Sequence, residues 1–306
     1  MKSKVVWGII GGLLLAALSI YVVLDTFVIE RTYVPVDTSS QTASAGQGNS
    51  GATENSDGTN ASVSDDVGVG NPNAVITENS YEDDNISIVL TKYRKYDTNI
   101  YVADVKLSSP EYLKTAFAKG AFGHNIKAET SETAKNVHAI LAINGDYYSV
   151  RETGYVVRNG VLYRDTPSER DILVIYEDGS FAMFEEGAVS AEQLMADGAE
   201  QVLCFGPSLV TGGEIVHSSS KSKHPRTAIG LVDDLHYIFM VTDGRVDDSE
   251  GLSHYELAEF MKSLGVKEAY NLDGGGSTAM YFNGKTVNNM DQGDERRVSD
   301  IVYIGY

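Results

Sequence analysis

The chain is short of cysteine, of positive charge and of clustered histidine, and each shortage excludes a class of protein. Its 306 residues include one cysteine, Cys204, so an internal disulfide is impossible. There are 24 Lys and Arg against 43 Asp and Glu, a formal net charge of −19. This charge argues against nucleic acid as a partner, because binding to a phosphate backbone depends on basic side chains. The six histidines are scattered, and the sequence has no His-rich cluster of the kind that binds zinc.

Charge is also missing from a run near the N-terminus. Residues 5–24 read VVWGIIGGLLLAALSIYVVL, and about 20 apolar residues are the length needed to span a bilayer. Two lysines precede the run and acidic residues follow it, so the positive-inside rule places the short N-terminus in the cytoplasm. We therefore predict a single-pass, uncleaved membrane anchor within residues 1–36 and an extracytoplasmic domain after it. A cleaved signal peptide is the alternative.

The next segment, residues 37–80, contains little that a core could bury. Ser, Thr, Gly, Asn and Asp dominate it. Such a composition cannot offset the entropy lost on folding, so the segment is predicted to be a flexible linker. The remaining residues, 81–306, are long enough to form one well-buried domain.

Strand patterns outnumber helix patterns in this domain. NISIVLTKYR and NIYVADVKLSS predict two strands joined at KYDT, and Asn-Gly at 159–160 and Asp-Gly at 178–179 predict further hairpins. SETAKNVHA, AEQLMADG and SHYELAEFMKSLG predict helices, the last with an apolar face and Gly265 at its end. The prediction is an α+β fold with a mixed, mostly antiparallel sheet and packed helices.

Four apolar strands of the predicted sheet border polar clusters: INGD, HPRT, VTDGR and NLDGGGST. Side chains at the ends of strands in a rigid sheet can be held in fixed positions around a ligand. Any single Asn-Gly or Asp-Gly pair is more often a hairpin turn, whereas four clusters with arginines nearby favour a site. The candidate residues in these clusters are Asn144, Asp146, His224, Arg226, Asp243, Arg245, Asp273, Gly274, Gly275, Gly276, Ser277 and Thr278.

The glycines at 274–276 exceed what a hairpin needs, since one or two residues with positive φ suffice. Glycines let the backbone approach a ligand closely, and successive N–H groups form an anion-binding concavity. Ser277 and Thr278 add hydroxyl donors, while Arg226 and Arg245 are suited to a bidentate grip on phosphate oxygens. The segment therefore predicts a phosphate or carboxylate site, with a simple turn as the alternative.

The segments INGDYY, HPRTAIG, VTDGR, ELAEFMKSLGVKEAYNLDGGGSTAMYFNGKTVN and ERRVSDIVYI resemble, in this order, the phosphodiester glycosidase family. That family includes bacterial exopolysaccharide-biosynthesis-like proteins. The resemblance implies hydrolysis of a sugar-1-phosphodiester at the anomeric C–O bond, with a free sugar and a phosphomonoester as products. It implies Asp243 and Asp273 as catalytic carboxylates and Asn144 as a group that binds the sugar or orients a carboxylate. It also implies that Arg296 binds the phosphate.

Two other functions would use the same residues. Asp146, Asp243 and Asp273 with Asn144 offer oxygen ligands for Mg²⁺ or Ca²⁺, as in a metal-dependent phosphodiesterase that cuts the P–O bond. A non-catalytic domain that binds a glycopolymer during assembly is the third hypothesis. For the glycosidase, no cofactor is required, although a structural Ca²⁺ or Mg²⁺ is compatible with the acidic residues. Its predicted partners are a sugar-phosphate or envelope glycopolymer substrate and, through the anchor, the cell membrane.

Overall fold

The structure, a computed structural model, describes residues 2–36, 71–216, 220–291 and 293–306, so most of the predicted linker lies outside it. Helix α1, Lys2–Phe27, occupies the predicted anchor. Among the described residues, no helix combines the length and the apolar character needed to cross a membrane. The predicted anchor region is thus helical, but the prediction that this helix spans a membrane is not supported. The extracytoplasmic location of the domain stays a prediction.

The residues after α1 pack onto the domain. Strand β1, Arg31–Thr32, pairs with β7, Gly123–His124, in an antiparallel ladder. The side-chain amide of Asn125 donates to the carbonyl oxygens of Asp25, at 3.2 Å, and Thr26, at 2.8 Å. The last carbonyls of a helix have no partner inside the helix, so Asn125 supplies donors that the end of α1 lacks.

The largest sheet has nine strands in the order β15-β14-β18-β16-β17-β5-β4-β3-β2, and its neighbouring strands pair antiparallel. The hairpin at its edge begins at residue 75, so the folded part of the chain starts a few residues before the predicted position 81. The strands are β2 (Val75–Ile76), β3 (Ser80–Glu82), β4 (Ile86–Lys95), β5 (Thr98–Leu107), β14 (Ser208–Thr211), β15 (Glu214–Ile215), β16 (Thr227–Asp233), β17 (His236–Thr242) and β18 (Glu268–Asn271).

Two five-stranded sheets complete the domain, both with antiparallel pairing. One has the order β10-β9-β13-β11-β12, with strands β9 (Val156–Arg158), β10 (Val161–Arg164), β11 (Asp171–Tyr176), β12 (Phe181–Glu185) and β13 (Ala199–Leu203). The other has the order β20-β19-β8-β21-β6, with strands β6 (Leu113–Phe117), β8 (Leu141–Asn144), β19 (Met280–Phe282), β20 (Lys285–Thr286) and β21 (Asp300–Ile304). The predicted antiparallel pairing is confirmed, but the strands are divided among several sheets rather than collected in one.

Three helices cover these sheets: α2 (Thr130–Asn136), α3 (Ala191–Ala196) and α4 (His254–Ser263). Helix α4 is the longest of them and begins with a capping box, in which Ser253 and Glu256 exchange side-chain and backbone hydrogen bonds. The apolar face buries Leu257 and Met261, and Gly265, at φ +84°, ends the helix as predicted.

The fold brings three of the polar clusters, HPRT, VTDGR and NLDGGGST, together at the ends of three neighbouring strands. In the nine-stranded sheet, β16 lies between β17 and β18 and runs antiparallel to both. The start of β16 therefore adjoins the ends of β17 and β18. The contacts are direct: Thr242 N–H donates to the Arg226 carbonyl at 2.9 Å, and Leu272 N–H donates to the Thr227 carbonyl at 2.9 Å.

Candidate active site

The glycine loop, residues 273–278, follows β18 and turns through a 3₁₀ segment at Gly275–Ser277. The Gly275 N–H donates to the Pro225 carbonyl at 2.9 Å, and the Thr278 N–H donates to the Gly275 carbonyl at 3.1 Å. These amide groups are therefore used inside the protein. In the predicted concavity of successive N–H groups at 274–276, the central donor, Gly275 N–H, is therefore bonded to Pro225.

Arginine side chains pack against the backbone of the glycine loop. A Cβ atom on Gly276 would lie 2.5 Å from Nη2 of Arg296, closer than real Cβ contacts occur. A Cβ on Gly275, which has φ +63°, would lie 3.3 Å from Nη1 of Arg245. The sequence predicted close approach of a ligand to these glycines. In the structure, two guanidinium groups make that approach: Arg245 lies against Gly275, and Arg296 lies against Gly276.

Asp273 lies at the start of the loop and is partly exposed. Its backbone is fixed on both sides, since its N–H donates to the Gly145 carbonyl at 3.2 Å and its carbonyl accepts from Asn144 Nδ2 at 2.6 Å. Burial raises the pKa of Asp273, whereas Ser277 and Arg296 act in the opposite direction. A carboxylate with a raised pKa and neighbouring cations is suited to proton transfer or to stabilising positive charge.

Asn144 is fully buried at the end of β8 and supports the loop. Its Oδ1 accepts from the Thr227 hydroxyl at 2.8 Å and from the Ala279 N–H at 3.2 Å, while Nδ2 donates to the Asp273 carbonyl. Both the oxygen and the nitrogen of the side-chain amide are therefore hydrogen-bonded to protein groups. The structure places Asn144 as a positioning residue for Asp273 rather than as a sugar contact.

Asp243, the second predicted catalytic carboxylate, is also fully buried. Its Oδ2 accepts from Tyr101 OH at 3.0 Å and from Asn99 Nδ2 at 3.1 Å. Asn289 donates to it twice, from Nδ2 to Oδ2 and from the backbone N–H to Oδ1, both at 2.8 Å. A direct role in catalysis would require Asn289 to leave. In this structure Asp243 anchors the segment that precedes Arg296.

Arg245 lies at the surface of the site, in the left-handed region at φ +59°. Its Nη1 donates to Asp291 Oδ2 at 3.2 Å, and Nη2 lies 2.9 Å from Nδ1 of His224. Burial, and then the charges of Arg226 and Arg245, lower the pKa of His224. His224 is therefore neutral at neutral pH, and its Nδ1 accepts from Arg245. The side chain of Arg245 is 45% exposed, which leaves it accessible to a ligand.

Arg226 differs from Arg245 in being buried at the start of β16. Its Nε donates to the Leu252 carbonyl at 2.8 Å and its Nη2 to the Ser222 carbonyl at 3.0 Å, while Nη1 lies 2.8 Å from Nε2 of His254. Burial lowers its pKa to about 10, so it remains charged at neutral pH. Three of its five N–H groups are thus engaged with protein acceptors, which leaves one on Nη1 and one on Nη2 for the predicted contact with phosphate. Arg226 contributes charge more than hydrogen bonds.

Asp146 was predicted to bind substrate, and the structure places it elsewhere, in a buried ion cluster with Arg158 and Asp300. Arg158 Nη2 donates to Asp146 Oδ2 at 3.0 Å and to Asp300 Oδ2 at 2.6 Å. Two carboxylates share one guanidinium, and burial raises the pKa of Asp300 to about 7. A Cβ on Gly145 would collide with the Asp300 carboxylate, which explains the glycine there.

Arg151 is a site residue that the sequence did not indicate. It lies five positions beyond Asp146, and its Nη1 donates to the Cys204 carbonyl at 2.7 Å. Its guanidinium lies 5.4 Å from the Tyr147 ring centroid and 5.5 Å from that of Phe205. Its charge lowers the pKa of Asp273. The adjacent Tyr147 and Tyr148 could be seen in the segment INGDYY, but no local sequence pattern indicated that Arg151 lies at the site.

The structure does not assemble the ligand set of the metal-dependent hypothesis. Asp146 belongs to the Arg158 cluster, Asp243 lies beneath Asn289, and Asp273 lies in the glycine loop. Across the part of the chain that the structure describes, no group of three or more His, Cys, Asp or Glu side chains is placed to hold a metal ion. The hypothesis of a phosphodiesterase that cuts the P–O bond with these acids is therefore not supported.

Comparison with known proteins gives consistent matches. The family model described as NAGPA, phosphodiester glycosidase, matches residues 137–305. The SPbeta prophage-derived uncharacterized protein YomE of Bacillus subtilis (strain 168) is 31% identical over 199 residues, 60% of this chain and 31% of that protein. The chain thus spans about a third of that relative's length.

Two solved structures share the fold. The catalytic domain of zebrafish N-acetylglucosamine-1-phosphodiester alpha-N-acetylglucosaminidase, auto-inhibited by its pro-peptide, has a TM-score of 0.60 and 20% identity. That match covers 72% of this chain and 83% of the zebrafish chain. A hypothetical protein from Synechocystis has a TM-score of 0.55 and 17% identity, over 72% of this chain and 62% of its own.

Proposed function

Since the chain belongs to the phosphodiester glycosidase family, we propose that it hydrolyses a sugar-1-phosphodiester at the anomeric C–O bond and releases a free sugar and a phosphomonoester. The observation that carries the proposal is the setting of Asp273. Its carboxylate has a raised pKa, lies near Arg151 and Arg296, and sits on a loop against which Arg245 also packs. One carboxylate beside several cations matches a reaction between a sugar carbon and a phosphate leaving group.

The chemistry assigns opposite tasks to these charges. As the C1–O bond breaks, its electron pair goes to the phosphate oxygen, and arginine N–H groups stabilise the negative charge that develops there. The sugar carbon becomes oxocarbenium-like, and a nearby carboxylate stabilises it. The oxygen of water bonds to C1 and its proton passes to Asp273 if that residue acts as the base. Asp273 could instead attack C1 as a nucleophile, and water would then release the sugar.

Phosphate binding falls to the exposed arginines. Arg245 and Arg296 both reach the surface of the glycine loop. Arg226 adds a buried positive charge behind them. Tyr147 is 42% exposed beside Arg151 and offers a ring face to a sugar. We propose that the sugar phosphate is part of an envelope or exported glycopolymer. The exposure of Arg245, Arg296 and Tyr147 supports this choice, because an open site leaves room for a substrate longer than one sugar.

Isotope labelling tests the bond that breaks. The protein is incubated in H₂¹⁸O with alkyl diesters of several hexose 1-phosphates, and the products are analysed by mass spectrometry. We expect ¹⁸O in the sugar and none in the phosphomonoester. Asp273→Asn serves as the inactive control on the same preparations. Label in the phosphate would show P–O cleavage and reject the proposal. Tight binding without turnover would favour the glycopolymer-binding hypothesis instead.

A further inference from the structure

A cleft of about 460 Å³ opens between Phe205 and Arg226 and has Arg170, Pro207 and His254 among its lining residues. We call it the Phe205 cleft. Its volume falls within the range of about 300–1,000 Å³ that is usual for small-molecule sites. Of its lining residues, the reaction proposed above uses only Arg226.

The cleft adjoins the candidate active site through two of its walls. On one side, the Phe205 ring lies 5.5 Å from the guanidinium of Arg151, whose charge lowers the pKa of Asp273. On the other side, Arg226 lies close enough to Arg245 for the charge of Arg245 to lower its pKa. The cleft is therefore bounded by Phe205, which contacts Arg151, and by Arg226, which lies within electrostatic range of Arg245.

Positive charge in the cleft is unusual for this chain, whose formal net charge is −19. Arg170 is exposed, and its Nη1 donates to the Phe205 carbonyl at 3.1 Å, which holds the guanidinium at the cleft. Within the described residues, neither Arg170 nor Arg226 forms an ion pair with a carboxylate. The one acid on the lining, Asp171, accepts from the Ser208 N–H at 2.9 Å.

Arg226 makes the charge argument stronger because it is only 7% exposed. Burying a cation without a counter-ion costs free energy, and a bound anion offsets that cost. Its hydrogen-bond partners are carbonyl oxygens and a histidine, none of which carries a negative charge. The cleft thus has two cations, an aromatic wall and a place for an anion.

We infer that the Phe205 cleft binds a second phosphate group, carried by the alcohol part of the substrate, and that Arg170 and Arg226 select for it. The inference rests on the proposed function and narrows its substrate class. The preferred substrates are sugar-1-phosphodiesters whose alcohol carries another phosphate, as in a polymer of sugar-phosphate repeats. Arg245 and Arg296 hold the phosphate that is cleaved from the sugar, and the Phe205 ring packs against the linking alcohol.

Kinetics on matched substrates test this selection. Two diesters share the same sugar 1-phosphate, and their alcohol is either glycerol or glycerol phosphate. We expect the wild-type protein to have a kcat/KM at least tenfold higher for the glycerol phosphate diester. Arg170→Ala should abolish most of this preference. Lys267→Ala removes an exposed lysine paired with Asp233, away from the cleft, and should keep the preference.

Binding measurements separate this inference from the proposed function. Calorimetry compares 1,3-propanediol bisphosphate with propyl phosphate as ligands. We expect the bisphosphate to bind about tenfold more tightly, with the difference lost in Arg170→Ala and reduced by added salt. If no diester is hydrolysed but the bisphosphate still binds more tightly than propyl phosphate, the proposed function is rejected and the phosphate subsite in the Phe205 cleft is supported. Equal affinity of the wild type for the two ligands, or the same ratio in Arg170→Ala and Lys267→Ala, overturns the inference.

Discussion

The Arg158 cluster and the glycine-loop site both combine arginine with aspartate, but they differ in how many of the arginine N–H groups are hydrogen-bonded within the protein. In the cluster, Arg158 is 2% exposed and its guanidinium donates to Asp146, to Asp300 and to backbone carbonyls. Around Asp273, by contrast, Arg245 and Arg296 reach solvent. Every donor of Arg158 is used inside the protein, whereas the exposed arginines near Asp273 remain accessible to a ligand.

The comparison also explains why two similar segments, around Asp146 and around Asp273, have different surroundings in the fold. Asp146 follows Asn144 and Gly145 at a strand end, and Asp273 precedes glycines at another. The first carboxylate accepts from Arg158, Tyr148 N–H and Cys204 N–H, all within 3.0 Å. Asp273 keeps part of its surface exposed. Function therefore depends on what the rest of the chain leaves unpaired around each acid.

The largest effect is expected from Asp273→Asn, which keeps the shape of the side chain and removes its charge. Hydrolysis should fall by about 10³-fold, since acid–base catalysis by a positioned group contributes about 10²–10⁴-fold. The melting temperature should change by only a few degrees. Steady-state rates and thermal melts on one preparation check both. A rate within tenfold of wild type would place the catalytic carboxylate elsewhere.

Arg158→Met should produce the opposite pattern, a loss of stability through the buried cluster. Removing one partner of a buried ion pair typically costs about 3–5 kcal/mol, because the remaining charges stay buried without compensation. Urea unfolding at neutral pH measures the loss. A double substitution, Arg158→Met with Asp300→Asn, should recover part of it. If Arg158→Met unfolds at the wild-type urea concentration, the cluster does not stabilise the fold.

Arg245→Ala and Arg296→Ala should each lower kcat/KM by about a hundredfold, with little change in stability. Loss of one donor to developing negative charge costs about 2.7–4 kcal/mol in comparable sites. Both side chains are exposed, so their removal leaves no buried cavity. Kinetics on the diester of the labelling experiment measure the effect, with Lys267→Ala as the charge-matched control. Rates like those of the control would remove the two arginines from the phosphate site.

The smallest effect is a pH dependence of stability that comes from Asp300. Its folded-state pKa is raised from 3.8 to about 7, so the folded chain holds the proton more tightly than the unfolded chain. The resulting stability is fully present below about pH 4 and is lost as the pH rises through about 7. Relative to Asp300→Asn, the wild type should lose about 1 kcal/mol between pH 6 and 8. Parallel pH curves for the two proteins would contradict this assignment.

Much of the fold could be predicted because its determinants are local. Asn159 and Gly160 have positive φ, as the hairpin turn requires, and helix α4 begins at its capping box and ends at Gly265. Asp273 was predicted as a site residue for a similar reason, since three glycines after an acid are rare in a simple turn. In each case, residues adjacent in sequence determine the local structure.

The errors arise where the partner is distant in sequence. Asp146 bonds to Arg158, 12 residues away, and its N–H bonds to Asp300, 154 residues away. No pattern around Asp146 distinguishes a buried ion pair from a substrate contact. The glycines at 275 and 276 show the same limit: their need for space was evident, but the occupants of that space, Arg245 and Arg296, come from other segments.

The double hydrogen bond from Asn289 to Asp243 has a consequence for the entropy of binding. Asn289 and Arg296 belong to the same chain segment, which Asp243 holds at one end and the pairing of Ala128 with Val298 holds at the other. Asn289 and Val298 are thus held in place before any ligand arrives, and the cost of placing the backbone near Arg296 is included in the free energy of folding. A substrate then meets an arginine whose backbone is already placed, so less backbone entropy is lost when the phosphate binds and more of the contact energy remains to lower the barrier.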